Sequence, residues 1–511
     1  MDGDALTRSL QDFLAESPEA VVVEGGEVIF DFATAKYDCR VEHGKCLLHL
    51  WSEERNTVRR ILDIEVKNGA IRLSAQRFGQ SRPGVMEIFR NRDQRTPAAR
   101  KGARAAYQRL LQRVLERNFP GFTLGRLSTT ADLERSFSPV CTRGELRRGN
   151  SSWAVLGVNA QETQGAIDAS VTFGLLWLEA SRDQSRTVVE GLKLFVPPGT
   201  SAIARERMAL LNHQAARFEL YELEEREESI EPIDCRDRGN IATRLVRCPD
   251  DELVRKRFAA PIARIAELAP EAELHVLSST ELAFRLRGLE FARARVAPGP
   301  GFRNAEEIVF GAGPYETTLT DENGAEFTAF VRAVREGRRP DGRHANALWR
   351  MQPERWLESL VARDVSVLDS RFNSACVYSQ VPAFSASDRA MIDVLTLTRD
   401  RRLAVVELKA DEDIHLPLQG LDYWARVEWH RARGEFVKFG YFPGVEIAPT
   451  PPLLLLVAPA LRVHPATDTL LRYIAPEIEC ELVGIGEKWR EGIQVVFRKR
   501  PTEKAATDVQ A

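Results

Sequence analysis

The chain lacks most of the features that mark a specialised class of protein. No apolar run approaches the ~18–20 residues of a membrane-spanning helix, and the longest, residues 453–457, has only the length of a strand. The N-terminus carries no apolar segment of the kind that forms a secretory signal. Seven cysteines, scattered and odd in number, are typical of free thiols in a reducing compartment. We therefore expect a folded cytoplasmic protein.

Several cofactor and catalytic signatures are absent as well. The sequence contains no Walker loop, no Gly-x-Gly-x-x-Gly after a strand and no Gly-x-Ser-x-Gly elbow. One cluster has nearly the spacing of zinc ligands: Cys39, His43, Cys46 and His49. Its flanking residues alternate as in strands, and His43-Gly44 has the character of a turn. We therefore favour a hairpin over a zinc site.

The chain has little net charge, so nothing draws it as a whole to nucleic acid. Its formal net charge is −3. Charge is locally uneven, however, because residues 82–118 hold ten Lys and Arg against three acids, and residues 332–350 form a second basic stretch. Local basic patches can hold a phosphate backbone even on a neutral protein. We expect nucleic acid as a partner and no membrane.

The length of 511 residues suits about three domains of roughly 150 residues each. The patterns predict a multi-domain α/β protein, with a β-rich N-terminal domain and basic helix at 1–120, a mixed α/β domain at 121–333, a basic linker at 334–352, a second mixed domain at 353–500 and a tail at 501–511. Within the middle domain we predict strands at 153–158, 171–179 and 188–196 and a helix at 201–217. No internal repeat of fixed period is visible.

The C-terminal domain has the clearest pattern of elements. We predict helices at 354–363, 417–433 and 467–473, and strands near 376–380, 390–397, 403–408, 453–458 and 479–485. Apolar strands that lie between covering helices imply a mixed sheet buried on both faces.

Polar residues interrupt these apolar elements at a few positions. Asp393 lies inside one apolar strand, and Glu407 and Lys409 end the next, two residues apart and so on the same face. Gln419 and Tyr423 follow one helical turn apart. Buried acids are costly unless they bind a metal or a partner. Two carboxylates and a lysine that converge can hold a hard divalent cation and activate a water molecule.

A structural ion pair is the alternative interpretation, because Glu-x-Lys alone is a weak signal. Glu65 and Lys67 match it too, with only a turn and another strand after them. Asp168, Glu190 and Lys193 imitate the pattern in the middle domain, but Glu190 and Lys193 are spaced wrongly for one strand face, so we interpret them as structural.

The whole constellation at 350–490 resembles the PD-(D/E)XK nuclease superfamily. It is most similar to the RecB-like branch, which carries Gln-xxx-Tyr after the Glu-x-Lys strand, and NucS-like and tRNA-endonuclease-like domains share the core. The resemblance implies a restriction-endonuclease-like fold, with Asp393, Glu407 and Glu358 as ligands of Mg²⁺ or Mn²⁺. It implies that Lys409 orients or deprotonates the attacking water and neutralises developing charge, and that Gln419 and Tyr423 position the substrate backbone or the active-site residues. Glu354 is an alternative to Glu358, and Arg426 and His430 continue the same helix face toward substrate phosphate.

These observations predict a metal-dependent nuclease or nuclease-like protein whose C-terminal domain hydrolyses phosphodiester bonds of nucleic acid, with DNA preferred. Two alternatives remain open. One is a catalytically inactive nuclease fold that binds nucleic acid, which the acids at Asp411, Glu412 and Asp413 favour. The other is an interaction protein in which the same residues form a structural ion pair.

Overall fold

The structure, a computed structural model, describes residues 3–18, 20–24, 27–32, 35–42, 44–51, 56–67, 70–77, 83–90, 97–132, 135–237, 241, 243–298, 304–313, 316–385 and 391–501. The chain divides into two compact units, Met1–Tyr107 and Gln108–Ala511. Four sheets, both antiparallel and mixed, combine with helices, so the predicted multi-domain α/β class is confirmed. The first unit ends within the predicted N-terminal domain, inside a helix.

The first unit is a helix on an antiparallel sheet. Its elements are α1 (Gly3–Ala15), β1 (Val21–Glu24), β2 (Glu27–Asp31), β3 (Lys36–Glu42), β4 (Lys45–Trp51), β5 (Asn56–Lys67), β6 (Ala70–Arg77) and β7 (Gly84–Phe89). The strand order is β2-β1-β7-β6-β5-β4-β3. Cys39 and Cys46 are buried on neighbouring strands with their sulfurs 3.9 Å apart. His43 and the turn at 68–69 lie outside the described residues.

The second unit begins with a six-stranded mixed sheet. Its elements are α2 (Pro97–Asn118), which starts before the division, β8 (Thr123–Leu124), β9 (Cys141–Arg148), β10 (Ser151–Val158), α3 (Gln164–Asp168), α4 (Ser170–Gln184), β11 (Val188–Val196), α5 (Ala202–Ala209), β12 (Arg217–Glu224) and β13 (Ser229–Ile233). The order is β13-β12-β11-β10-β9-β8. We call β8–β13 with α3–α5 the middle lobe.

Two predictions for the middle lobe were wrong. Residues 171–179 form part of α4 rather than a strand, because Val171, Leu175 and Leu178 recur at helical spacing and all three are fully buried. The β-branched Val171 and Thr172 favoured a strand locally, but this burial pattern overrides that preference. The helix predicted at 201–217 ends at Ala209, and its last predicted residue begins β12.

A second, antiparallel sheet follows. The elements are β14 (Thr243–Leu245), α6 (Asp251–Arg257), α7 (Ala259–Leu268), β15 (Glu273–Ser278), β16 (Glu281–Leu286), β17 (Leu289–Pro298), β18 (Asn304–Phe310), β19 (Thr317–Thr318), α8 (Gly324–Gly337) and α9 (Ala347–Arg350). Strands β15–β19 pair in chain order. The predicted linker at 334–352 is a folded segment, since it contains the end of α8 and all of α9. Arg338 within it is fully buried and donates to the carbonyl of Met351 at 2.7 Å.

The C-terminal lobe contains α10 (Pro353–Arg363), β20 (Phe372–Ser385), β21 (Met391–Thr398), β22 (Leu403–Leu408), α11 (Leu416–Ala432), α12 (Glu435–Lys438), β23 (Leu453–Pro459), α13 (Thr467–Arg472), β24 (Cys480–Ile485) and β25 (Val495–Lys499). The sheet order is β14-β20-β21-β22-β23-β24-β25. Each helix and strand predicted here is present. Strands β22, β23 and β24 are buried on both faces of the sheet, as the sequence indicated.

The middle and C-terminal lobes share one topology. In the middle lobe, β9 and β10 are antiparallel, β10, β11 and β12 are parallel and joined by helices, and β13 returns antiparallel. In the C-terminal lobe, β21 and β22 are antiparallel, β22, β23 and β24 are parallel and joined by helices, and β25 returns antiparallel. The fold therefore contains an internal repeat that the sequence did not reveal.

The helices of the two lobes pack against each other around one hydrophobic core. Helix α4 packs against α13, and α5 packs against α11. Because α4 corresponds to α11 and α5 to α13 in the repeat, these two contacts are equivalent. A reciprocal pair of backbone hydrogen bonds joins the segments after α5 and α13: Asn212 N–H donates to the Tyr473 carbonyl at 2.8 Å, and Ala475 N–H to the Leu210 carbonyl at 2.9 Å. Reciprocal contacts of this kind are characteristic of a two-fold interface.

Among the described helices, none is both long and apolar enough to cross a membrane. All seven cysteines are free. The predicted free thiols are therefore present in the structure.

Candidate active site

The predicted acid–acid–lysine group meets where β21 and β22 lie side by side. The backbone N–H of Leu408 donates to Asp393 Oδ2 at 3.0 Å, which fixes the aspartate against the neighbouring strand. Lys409 follows the end of β22, and its backbone N–H bonds to the Val457 carbonyl of β23 at 2.9 Å. Its Nζ lies 3.4 Å from Glu407 Oε1. The hairpin therefore brings Asp393 next to Glu407 and Lys409, which follow it by 14 and 16 residues in the sequence.

Glu407 lies in an environment that disfavours its negative charge. Its exposed fraction is 1%, and its Oε2 has no hydrogen-bond partner. Burial and the neighbouring Asp393 raise the pKa of Glu407 well above its usual value, which Lys409 only partly offsets. Burial likewise raises the pKa of Asp393, against the hydrogen bond from Leu408. Carboxylates held close together in this way favour a bound cation.

Glu358, the acid predicted on the preceding helix, lies beside this pair. Its Oε2 accepts from Gln380 Nε2 at 2.5 Å and from Arg355 Nη1 at 2.9 Å. Gln380 Nε2 also lies 3.5 Å from Asp393 Oδ1, so this amide connects the two acids. Burial raises the pKa of Glu358 to about 8.

Gln380 and Arg355 are the residues that the sequence analysis missed. Gln380 is buried in β20 with φ of 55°, a left-handed conformation that is rare for a residue with a side chain. Such backbone strain concentrates at functional sites. Arg355 lies one turn before its partner Glu358, a spacing that the sequence did show. Gln380 had no comparable signal, because its partners lie on other elements.

Lys409 is surrounded by acids. Glu354 Oε1 and Asp413 Oδ2 each lie 3.9 Å from its Nζ, in addition to Glu407. Burial disfavours the ammonium, but these carboxylates outweigh it and raise the pKa of Lys409 above its usual value. The side chain is therefore a cation at neutral pH. Both acids of the first helix, Glu354 and Glu358, thus reach the site, one at the lysine and one at Asp393.

The Gln-xxx-Tyr pair faces the same carboxylates from α11. Gln419 Nε2 donates to Tyr423 Oη at 3.2 Å. Burial and the charges of Glu407 and Asp393 raise the pKa of Tyr423. The Arg426 guanidinium lies 5.8 Å from the centre of the Tyr423 ring and is buried.

The structure places His430 in packing contacts. Its ring nitrogens lie 3.1 Å from Thr243 Oγ1 and 2.5 Å from Glu435 Oε2, and the residue is 2% exposed. These contacts join α11 to β14 and to α12. A role for His430 in binding substrate remains a prediction.

A cleft of about 350 Å³ opens at the acids and is lined by Gln352, Pro353, Glu354, Arg355 and Asp393. Gln352 and Arg355 also line a neighbouring cavity of about 230 Å³, where Arg285 and Arg293 are ion-paired with Glu290, which lines the cavity as well. Asp393 therefore lies beside Arg355 in the cleft that opens to solvent.

The donor chemistry fits a hard cation such as Mg²⁺ or Mn²⁺, because carboxylate oxygens are what these ions prefer. Glu407 Oε2, buried without a partner, is an atom that a cation would satisfy. In the part of the chain that the structure describes, no three or more His, Cys, Asp or Glu side chains form a ready metal site. Asp393 and Glu407 would therefore hold the ion as a pair with water molecules, as is common for Mg²⁺. Glu358 is engaged by Gln380 and Arg355 instead.

No protein-family model matches the chain, and a search of curated proteins found no match.

Proposed function

We propose that the C-terminal lobe is a cytoplasmic, metal-dependent nuclease that hydrolyses phosphodiester bonds, with DNA as its substrate. The observation that supports this most is the convergence of Asp393, Glu407 and Lys409 beside a cleft that opens at Asp393. A buried carboxylate without a hydrogen-bond partner is costly and persists at sites with a function. The resemblance of this constellation to PD-(D/E)XK nucleases agrees with the proposal.

The residues divide the work as follows. A bound Mg²⁺ supplies Lewis-acid stabilisation of phosphate charge and lowers the pKa of a bound water. The Lys409 ammonium offsets the negative charge that develops on the phosphoryl oxygens and orients the attacking water. The water oxygen forms a bond to phosphorus while the P–O ester bond breaks. The water's proton passes to solvent, and the leaving oxygen takes a proton from solvent.

Cleavage assays with purified protein test the proposal. Single- and double-stranded DNA and RNA are incubated with Mg²⁺ or Mn²⁺, using wild type, Glu407→Gln and Lys409→Ala. We expect DNA cleavage that falls by about 100-fold or more in both variants, the usual effect of removing a group that stabilises the transition state.

Glu481→Gln is the matched control. Glu481 is also a buried acid of the same sheet, 3% exposed, but arginines hold it, with Arg500 Nη2 at 2.6 Å. We expect its activity per folded molecule to match wild type. Equal cleavage by wild type and Glu407→Gln would refute the proposal, since the activity would then come from elsewhere.

A non-catalytic protein that binds nucleic acid or a protein partner is the second candidate. It is favoured by the acids around Lys409, which would repel a phosphate, and by the absence of a ready metal group among the described residues. It predicts salt-dependent DNA binding without turnover. Fluorescence anisotropy with labelled DNA would detect that binding, and Lys409→Ala would leave it intact.

A further inference from the structure

The internal repeat allows the position of each site residue to be found in the middle lobe. Gly174 of α4 packs so closely on Leu192 of β11 that an added Cβ would lie 2.7 Å from its side chain. Gly420 of α11 packs on β23 in the same way, and its Cβ would lie 3.3 Å from Leu454 and 2.4 Å from Leu456. These glycines mark equivalent points where a helix approaches the central sheet.

Strand register extends the equivalence. Ala154 pairs with Leu192, and Val405 pairs with Leu454. Matching these pairs places Leu156 at the position of Glu407 and Val158 at that of Lys409. Residues Ala154, Leu156 and Val158 all face the shared hydrophobic core, as Val405 does, so the faces agree as well as the register. A shift of two residues, which matches Leu192 with Leu456 instead, places Ala154 at Glu407 and Leu156 at Lys409, both apolar. It places Glu145 at Asp393, where Arg147 pairs with it at 2.7 Å. In either register the positions of Glu407 and Lys409 hold apolar residues.

With Leu192 matched to Leu454, the positions of the middle lobe that correspond to Asp393, Gln419 and Tyr423 also hold other residue types. The hairpin pairing places Arg143 of β9 at the position of Asp393. Matching Gly174 with Gly420 places Phe173 and Trp177 where the other lobe has Gln419 and Tyr423. The Trp177 ring lies 5.8 Å from the Arg143 guanidinium. Arg143 Nη1 donates to the Ser138 carbonyl at 3.1 Å, so it serves the packing.

The acids noted in the middle domain belong to other elements. Asp168 lies in α3, and Glu190 and Lys193 lie in β11, the counterpart of β23. Lys193 is ion-paired with Glu219, and its Nζ lies 4.0 Å from the centre of the Trp153 ring. The repeat is therefore present, but those three residues are not its site.

We propose that the chain is a fused pair of nuclease-like lobes, one competent and one silent, and that each chain consequently cuts a single strand of duplex DNA. This inference rests on the proposed function. Two competent lobes related by a two-fold axis could cut both strands in one encounter. Here one lobe offers Asp393, Glu407 and Lys409, and the other offers Arg143, Leu156 and Val158, so one P–O bond is hydrolysed per binding event.

Supercoiled plasmid distinguishes these cases. With wild-type protein and Mg²⁺ or Mn²⁺, we expect nicked circles as the first product and linear DNA only after nicked circles accumulate. Any early linear product is then tested with a large excess of Glu407→Gln protein. If two chains made the two cuts, reactions that contain the excess yield nicked circles in place of linear DNA. That result supports one cut per chain. A linear fraction that the excess does not change would overturn the inference.

A pair of equivalent substitutions tests which lobe acts. We expect Lys409→Ala to lose about 100-fold in nicking rate and Val158→Ala, at the matching position, to leave it unchanged. Thermal melting confirms that both variants fold. A loss in Val158→Ala equal to that in Lys409→Ala would overturn the assignment of a silent lobe. No cleavage by wild type would instead refute the proposed function, and this inference with it.

Discussion

An ion pair between the two lobes gives the sharpest test of how they are joined. Arg207 of α5 contacts Asp422 of α11 through two hydrogen bonds, Nε to Oδ1 at 3.0 Å and Nη2 to Oδ2 at 2.8 Å. Their side chains are 9% and 14% exposed. The pair is therefore bidentate and shielded from water, and Arg207 also donates to the Asp168 carbonyl.

Replacing Asp422 with Asn removes the charge and keeps the shape. The Arg207 guanidinium then stays buried without its carboxylate, which typically costs about 3–5 kcal/mol of the free energy of unfolding. Replacing both partners, as in Arg207→Met with Asp422→Leu, leaves no buried charge. We expect that double variant to cost only about 1 kcal/mol or less, because a buried pair and its apolar substitute are often nearly equal in stability.

Urea unfolding, followed by tryptophan fluorescence, measures these differences. Asp251→Asn is the control, since Asp251 pairs with Arg255 on the exposed surface of α6, where the side chains are 56% and 42% exposed. Its cost should stay below about 1 kcal/mol. A cost below about 1 kcal/mol for Asp422→Asn as well would refute the buried pair. So would costs of Arg207→Met and Asp422→Leu, each measured alone, that simply add in the double variant.

Three further outcomes follow from other parts of the chain. Burial lowers the pKa of His275 to about 3, so below pH 6.5 the unfolded chain binds a proton there that the folded chain does not. His275 should therefore lower stability by up to about 1.4 kcal/mol per pH unit as the pH falls, and urea titrations at several pH values should show that His275→Gln removes this contribution. Gly420→Ala and Gly174→Ala should each cost about 1–3 kcal/mol by overlap with the sheet, whereas Gly102→Ala, in an open helix position, should stabilise by about 0.5–1 kcal/mol in thermal melts. Gln380→Leu should lower the cleavage rate by about 10- to 100-fold without unfolding the lobe, as loss of a residue that orients a ligand does, and an unchanged rate would remove Gln380 from the site.

The sequence predicted the C-terminal lobe well because its signals are local. The strand at residues 403–408 was predicted with the bounds that the structure has, and the helix carrying Gln419 and Tyr423 to within a residue. Each is a continuous apolar run or a regular stripe with a proline or turn at its edge. The meeting of Asp393 with Glu407 needed only one hairpin to be inferred.

What the sequence could not predict depends on long-range relations. The helical state of residues 171–179 is decided by burial against other elements, which overrides local propensity. The internal repeat is visible in strand order and buried faces, but the matching positions of the middle lobe hold other residue types, so the sequence shows no fixed period. Gln380 gains its role from a left-handed backbone and from partners on two other elements.

The hydrophobic core shared by the two lobes limits how the protein can be divided. Leu175 and Leu178 of α4 belong to the same buried cluster as Leu421 of α11 and Leu470 of α13. A fragment that begins at residue 353 would expose one side of that cluster as a continuous apolar surface, which favours aggregation. The middle lobe thus covers the apolar side of the C-terminal lobe, and biochemical work on the candidate site needs both lobes in one polypeptide.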